Sequence, residues 1–325
     1  MTLDPQLQAY AAQLAATAGP PRHTQTPEAV RAAMLEESAA QADSLKRETV
    51  ASIERHEVSG PVGPVPVHVY IPEGQGPFPV VVYLHGGGWV LSDPQLVDSL
   101  SRSIAHGAGC VVVAVEYHLA PEHRFPVAVE DCYNATQWAA VHAETFSGDP
   151  ARLAVAGDSA GGNLAAVVAL MTRLRGGAPL HAQILIYPIT DLRMQSASYT
   201  ENAYAPMLTR DDMHWFRSHY IRDESDIENS LASPLLARDL QRLPPALIVT
   251  AGFDPLRDEG EQYAGRLRAE GISVTLRRYD DLAHGFLHHD AVVERARQGK
   301  EETIATIRAM AHAPASAGAD LRIER

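Results

Sequence analysis

A serine flanked by glycines is the first feature of this sequence able to do chemistry. Gly157-Asp158-Ser159-Ala160-Gly161-Gly162 follows the apolar run 153–156 and precedes a stretch with helical patterning. A serine hydroxyl becomes a nucleophile when a sharp turn lifts it clear of a strand end, and glycines two residues to either side let the chain pass through that turn. The helix that follows would aim its first amides at a developing negative charge. A second glycine run, His85-Gly86-Gly87-Gly88-Trp89, ends the apolar run 80–84. Without side chains, its backbone can turn two N–H groups towards one point and, with the Ala160 amide, hold the oxygen of a tetrahedral intermediate. The lack of a Lys-Ser/Thr pair or a second spaced glycine argues against a phosphate loop. Asp254 is the first carboxylate after the run 246–250, and His284 lies in the loop after the strand expected at 273–279. Ser, Asp, His is the chain order expected when a serine, its general base and the orienting acid follow successive strands.

Other residues compete for these roles. His85 stands beside the glycines, where bracing the loop is the better reading. Asp258 lies one helical turn beyond Asp254 and would face away. His288 and His289 are expected to be exposed at the start of the last helix. His118 and His123, with Glu122 and Arg124, read as structural, and Asp280 and Asp281 as loop caps. Neither a His-Glu-x-x-His nor a paired Cys-x-x-Cys pattern occurs, so the reading includes no metal and no cofactor.

The elements that must position these residues alternate. Val67, Val69 and Ile71 mark a half-buried strand. Short β-branched runs at 80–84, 111–115, 153–156, 184–187 and 246–250, with 273–279, read as further strands, most of them buried on both faces. Helical stretches at 94–107, 126–143, 160–175, 256–270 and 291–311 separate or follow them. The expected fold is α/β: a mainly parallel sheet with helices on both faces and its chemistry at the carboxyl ends of the strands. Core assignments are 49–189 and 244–312. Residues 1–48 read as an N-terminal helical cap, with Thr26 capping a helix that starts at Pro27 and Val30, Met34 and Leu45 on its apolar face. Residues 190–243, carrying Tyr199, Tyr204, Met207, Leu208, Trp215, Phe216 and Tyr220 but no buried strand, read as an inserted cap. Residues 313–325 read as a flexible tail. Trp89, Leu208, Trp215, Phe253 and Phe286 are the expected pocket walls.

Composition narrows the partners. The 325 residues carry a formal net charge of −13 with no basic run, which excludes nucleic acid and anionic membrane surfaces and suits neutral substrates. Cys110 and Cys132 fall in apolar or helical context and read as reduced core residues. No stretch is long and apolar enough to span a bilayer, and the N-terminus lacks the pattern of a signal peptide, so cytoplasmic residence is the expectation.

Taken together, several motifs resemble the bacterial hormone-sensitive-lipase-like carboxylesterases over residues 50–311. They are His85-Gly86-Gly87-Gly88-Trp89, Tyr117-His118-Leu119-Ala120-Pro121-Glu122-His123-Arg124-Phe125-Pro126, Val129-Glu130-Asp131, Gly157-Asp158-Ser159-Ala160-Gly161-Gly162-Asn163, Asp254-Pro255-Leu256-Arg257-Asp258-Glu259 and His284-Gly285-Phe286. The resemblance implies an α/β-hydrolase fold with a mostly parallel eight-stranded sheet and hydrolysis of short- to medium-chain acyl esters. It implies Gly87, Gly88 and Ala160 as oxyanion donors, Gly86 as the residue permitting the turn, and a scaffold role for Asp158, Tyr187 and Pro188. Relatives of this kind also dimerise through the strand here at 273–279. The same three catalytic side chains serve amidases, lactonases and peptidases, and a related fold without the histidine serves as a ligand receptor. The presence of His284 disfavours the receptor, and the sequence leaves the choice among ester, amide and lactone open.

Overall fold

The computed structural model describes residues 2–41 and 47–314. Leu45 of the expected N-terminal apolar face and residues 315–325 of the expected tail lie outside them. The strands are β1 (Ser52–Ser59), β2 (Pro64–Ile71), β3 (Phe78–Leu84), β4 (Val111–Val115), β5 (Gly148–Asp158), β6 (Ala182–Ile186), β7 (Ala246–Phe253) and β8 (Val274–Ala283). They form one sheet in the order β1-β2-β4-β3-β5-β6-β7-β8. β1 pairs antiparallel with β2, and β2 with β4, and every other pairing is parallel. β1 carries no apolar run because it is an edge: only Val58 of its eight residues is buried, so Glu54, Arg55, His56 and Glu57 can face solvent.

The helices are α1 (Pro5–Thr17), α2 (Pro27–Gln41), α3 (Pro94–Ala108), α4 (Val127–His142), α5 (Ala160–Arg175), α6 (Ser198–Glu201), α7 (Arg210–Tyr220), α8 (Arg257–Ala269) and α9 (Glu294–Ala311). Strand alternation splits the core between the two faces of the sheet. Val80, Val82 and Leu84 pack with the α4 and α5 side chains Val129, Leu164 and Val168. Val81 and Tyr83 pack with Leu100 and Ile104 of α3 and Ile307 of α9. Cys110 and Cys132 are free and buried.

Local chemistry sets the helix starts. Asp93 caps α3 by accepting from Gln95 N and Leu96 N, Pro94 occupies the first turn, and Gly109 ends the helix in left-handed conformation. Loss of such a cap costs about 1 kcal/mol. Thr26 accepts from Ala29 N at the head of α2, as the sequence reading expected. α9 begins at Glu294 rather than 291, because a turn in which Val292 N and Val293 N donate to the His289 carbonyl comes first. No helix among the described residues is long and apolar enough to cross a membrane.

Candidate active site

Sheet register brings the site together. Leu84 of β3 pairs with Gly157 of β5, so His85 and Asp158 each stand one residue past a paired position. Across the sheet, Phe253 of β7 pairs with Ala283 of β8, so Asp254 and His284 do the same. The four loops leave the carboxyl edge of the sheet as two adjacent pairs, after β3 and β5 and after β7 and β8, with β6 between them.

Ser159 sits at φ 56°, ψ −118° between β5 and α5, a region that L-residues rarely occupy. The flanking glycines are obligatory. A Cβ on Gly157 would lie 2.2 Å from the Gly161 carbonyl oxygen, and one on Gly161 would lie 1.9 Å from the Leu84 carbonyl oxygen. His284 Nε2 lies 2.9 Å from Ser159 Oγ, and His284 Nδ1 lies 2.8 Å from Asp254 Oδ2. Asp254 Oδ1 accepts from Leu256 N at 2.9 Å, and the Asp254 side chain is fully buried. The carboxylate is therefore fixed from both sides, with Nδ1–H as its natural donor and Nε2 as the acceptor facing the serine. Asp258 points elsewhere, accepting from Ser198 N and Arg257 Nε.

The glycine loop is held from below. Asp158 Oδ1 accepts from Gly86 N at 3.0 Å and from Tyr83 Oη at 2.6 Å, and Asp158 Oδ2 faces His288 Nε2 at 3.3 Å. Burial pushes the Asp158 carboxyl up, but the hydrogen bond and charge of His288 and the Tyr83 hydroxyl hold it, on balance, below the ordinary aspartate range. His85 braces the loop: its Nδ1 lies 2.7 Å from the Gly86 carbonyl oxygen, its ring stacks on Tyr117 at 4.3 Å, and Tyr117 Oη donates to the His85 carbonyl. Burial lowers the His85 pKa, which keeps the ring neutral and donating to Gly86. The Gly87, Gly88 and Ala160 amides have no hydrogen-bond acceptor among the described residues.

A cavity of about 200 Å³ opens over Ser159. Its floor is Gly86, Gly87, Gly88, Tyr187 and His284, and its walls include Leu208, Met213, Phe216, Ile189, Leu96, Met34 and Arg22. Of the five expected wall residues, only Leu208 lines it. Trp89 is buried and stacked on Tyr220 at 4.0 Å. Trp215 turns away and donates from Nε1 to the Gln25 carbonyl. Phe286 packs under the site against Tyr187 and Tyr279, and Phe253 joins the core on the α3 side of the sheet. Phe216, the neighbour of Trp215, is the residue that enters: consecutive helical side chains point about 100° apart, so only the packing of α7 decides between them. His288 and His289 are a further correction. His288 lines the cavity beside Asp158, and His289 is packed on Tyr10 with its pKa pushed by burial down to about 4. Arg22 and Ile189 had no motif to mark them.

Comparison with known proteins agrees with this fold. A family model described as alpha/beta hydrolase fold matches residues 81–288. The chain is 45% identical to Carboxylic ester hydrolase LipN of Mycobacterium tuberculosis over 259 residues, covering 78% of this chain and 69% of that protein. It is 42% identical to Carboxylesterase NlhH of the same organism, covering 77% and 79%. The chain belongs to the hormone-sensitive-lipase-like carboxylesterase family of α/β-hydrolases. A solved hyperthermophilic esterase from the archaeon Pyrobaculum calidifontis superposes on this carboxylesterase-family chain with a TM-score of 0.91 at 40% identity, covering 96% of this chain and 99% of the other.

Proposed function

We propose that this family member hydrolyses short- to medium-chain acyl esters with Ser159 as nucleophile, His284 as general base and Asp254 as the orienting acid. The observation that carries the proposal is the unbroken hydrogen-bonded line Asp254–His284–Ser159 under three unengaged amides. Ser159 Oγ attacks the ester carbonyl carbon while His284 Nε2 takes its proton. The resulting oxyanion accepts from the Gly87, Gly88 and Ala160 amides. Collapse breaks the bond to the alkoxy oxygen, which leaves as alcohol with the proton from His284. A water molecule then gives a proton to His284 Nε2 as it attacks the acyl-enzyme carbonyl, and collapse breaks the bond to Ser159 Oγ, which takes that proton back from His284 as the acid is released. Throughout, Asp254 holds Nδ1–H and stabilises the imidazolium.

The apolar side of the cavity, Ile189, Leu208, Met213 and Phe216, supports a short acyl chain. We read residues 1–48 and 190–243 as the caps that close it, since each contributes walls. We also read the outer edge of β8 as the contact for a second copy, which sedimentation velocity would report as a dimer. The deciding experiment is initial-rate hydrolysis of p-nitrophenyl esters of two to sixteen carbons by wild type and Ser159→Ala. Rates that peak at short to medium chains and fall at least a thousandfold in the variant support the proposal. Equal rates in the two proteins refute it.

A further inference from the structure

The cavity over Ser159 continues past His284 into a second arm of about 340 Å³ that runs out beneath α1 and α2. The two arms share the apolar Met34, Leu96 and Met207 together with Arg22, Asp93, His284, Gly285 and His288, and they differ in what each adds beyond these. The inner arm carries Ile189, Leu208, Met213 and Phe216. The outer arm adds Tyr10, Glu37, Ser38 and His289 and one apolar side chain, Leu14, with Asp93 and His288 at its junction with the inner one.

Chemistry decides which part of an ester enters which arm. The oxyanion must face the Gly87, Gly88 and Ala160 amides. The alkoxy oxygen must face His284 Nε2, because that atom hands it a proton as it leaves. The alcohol moiety therefore extends on the His284 side, into the outer arm, and the acyl chain keeps the apolar one. Resting on the ester-hydrolase reading above, we propose that the outer arm selects esters of small polyhydroxylated alcohols over esters of plain alkanols.

The groups in the outer arm match such an alcohol. A hydroxyl both donates and accepts, and the arm offers the Tyr10 phenol, the Ser38 hydroxyl, the Asp93 carboxylate and two imidazoles. These groups are held in place. Ser38 Oγ donates to Asp93 Oδ1 at 2.8 Å, and the Tyr10 ring packs on His289 with centroids 5.4 Å apart. Asp93 Oδ1 also accepts from Gln95 N and Leu96 N, so the α3 cap pins the carboxylate, while Oδ2 has no hydrogen bond among the described residues. An alkyl chain lodged here would touch Leu14, Met34, Leu96 and Met207, but it would strip water from the polar groups and return no hydrogen bond. A site built to bond a hydroxyl discriminates strongly against the analogue that lacks it.

The test compares glycerol monobutyrate with propyl butyrate, which share the acyl chain and the three-carbon alcohol skeleton and differ by two hydroxyls, with p-nitrophenyl butyrate as control. Wild type is expected to show kcat/KM at least about tenfold higher for the glycerol ester. Tyr10→Phe and Ser38→Ala, assayed separately, are each expected to bring that ratio down by at least about threefold. Equal kcat/KM for the two esters in wild type overturns the inference while hydrolysis of the control upholds the ester-hydrolase reading. A wild-type preference that survives both substitutions undiminished also overturns it. No hydrolysis of any of the three esters overturns both.

Discussion

Gly88 offers a direct probe of the glycine loop. Its φ is +61°, and a Cβ there would lie 2.1 Å from Phe216 Cδ1, well inside van der Waals contact. Phe216 has little freedom to retreat: its ring packs edge-on to Trp215 at 5.1 Å, and the Arg22 guanidinium lies 5.5 Å from its centroid. In Gly88→Ala the loop must therefore move by more than an ångström. The Gly88 amide then no longer points where the oxyanion forms, and loss of one such donor costs about 3–4 kcal/mol, roughly 10²–10³ in kcat. A residual cost of about 1–2 kcal/mol comes from alanine in the left-handed region. The two contributions separate in Gly88→Ala/Phe216→Ala, which removes the clash but not the backbone cost. The double variant should regain at least tenfold in kcat on p-nitrophenyl butyrate over Gly88→Ala, and its optimum should move to longer acyl chains because the ring no longer closes the cavity. The assay is steady-state kinetics on the ester series, with thermal melts to confirm that both proteins fold. Gly88→Ala within threefold of wild type would refute the loop geometry, and a double variant no faster than the single would refute the role of Phe216.

Three further outcomes follow from the same contacts. Asp254→Asn leaves a neutral partner for His284 Nδ1, favours the wrong tautomer and removes the charge that stabilises the imidazolium; kcat should drop by about 10³–10⁴ with KM nearly unchanged, as single-turnover acylation would show. Burial holds His289 at about 4 against 6.5 when free, so the unfolded chain binds the extra proton between those values. Its stability contribution is complete above about 6.5 and is lost as pH falls towards 4; urea titrations across that range should give a shallower decline for His289→Gln than for wild type. Arg31 donates from Nε to the Val90 carbonyl and from Nη2 to the Ala120 carbonyl, and forks onto Glu122, tying α2 to the loop after Gly88. Arg31→Met should cost about 1–3 kcal/mol, read as a lower urea midpoint, and should raise KM.

The sequence revealed the strands and the chemistry attached to their ends more readily than the walls above them, and the reason is physical. A strand buried on both faces must be a continuous apolar run, so Val111–Val115 and Ala246–Phe253 announce themselves. Among the described residues β1 pairs with β2 alone and leaves most side chains to water, so its charged sequence carries no such sign. Ser159 is legible through its two glycines, because a Cβ at Gly157 or Gly161 would strike the backbone of that turn. Wall residues obey no comparable constraint. Trp215 and Phe216 are adjacent and both apolar, and the seating of α7 against Gly88 alone selects Phe216. His288 looked like the exposed head of a helix because nothing in its neighbours indicates the turn at Phe286–His288 that swings it towards Asp158.

Asp158 shows why the glycine loop and the serine turn behave as one unit. Parallel pairing of Leu84 with Gly157 sets Asp158 level with His85, so a carboxylate on the residue before the nucleophile can reach Gly86 N without crossing a strand. The space is so tight that a Cβ on Gly86 would sit 2.5 Å from Asp158 Oδ2. Any shift of the serine turn must then carry the loop with it, which keeps the Gly87 and Gly88 amides in fixed relation to Ser159 Oγ. Preorganised donors of this kind need no rearrangement as charge develops. The buried carboxylate is in turn secured by Tyr83 from within β3 and by His288 from the loop carrying His284. Three of the four loops at the sheet edge thus converge on a single side chain that takes no part in bond making. Asp158→Ala should accordingly lower kcat on p-nitrophenyl butyrate and the rate at which a small phosphonate modifies Ser159 together, because both attacks place charge on an oxygen that the misaligned donors must hold; a variant with both rates unchanged would refute the coupling.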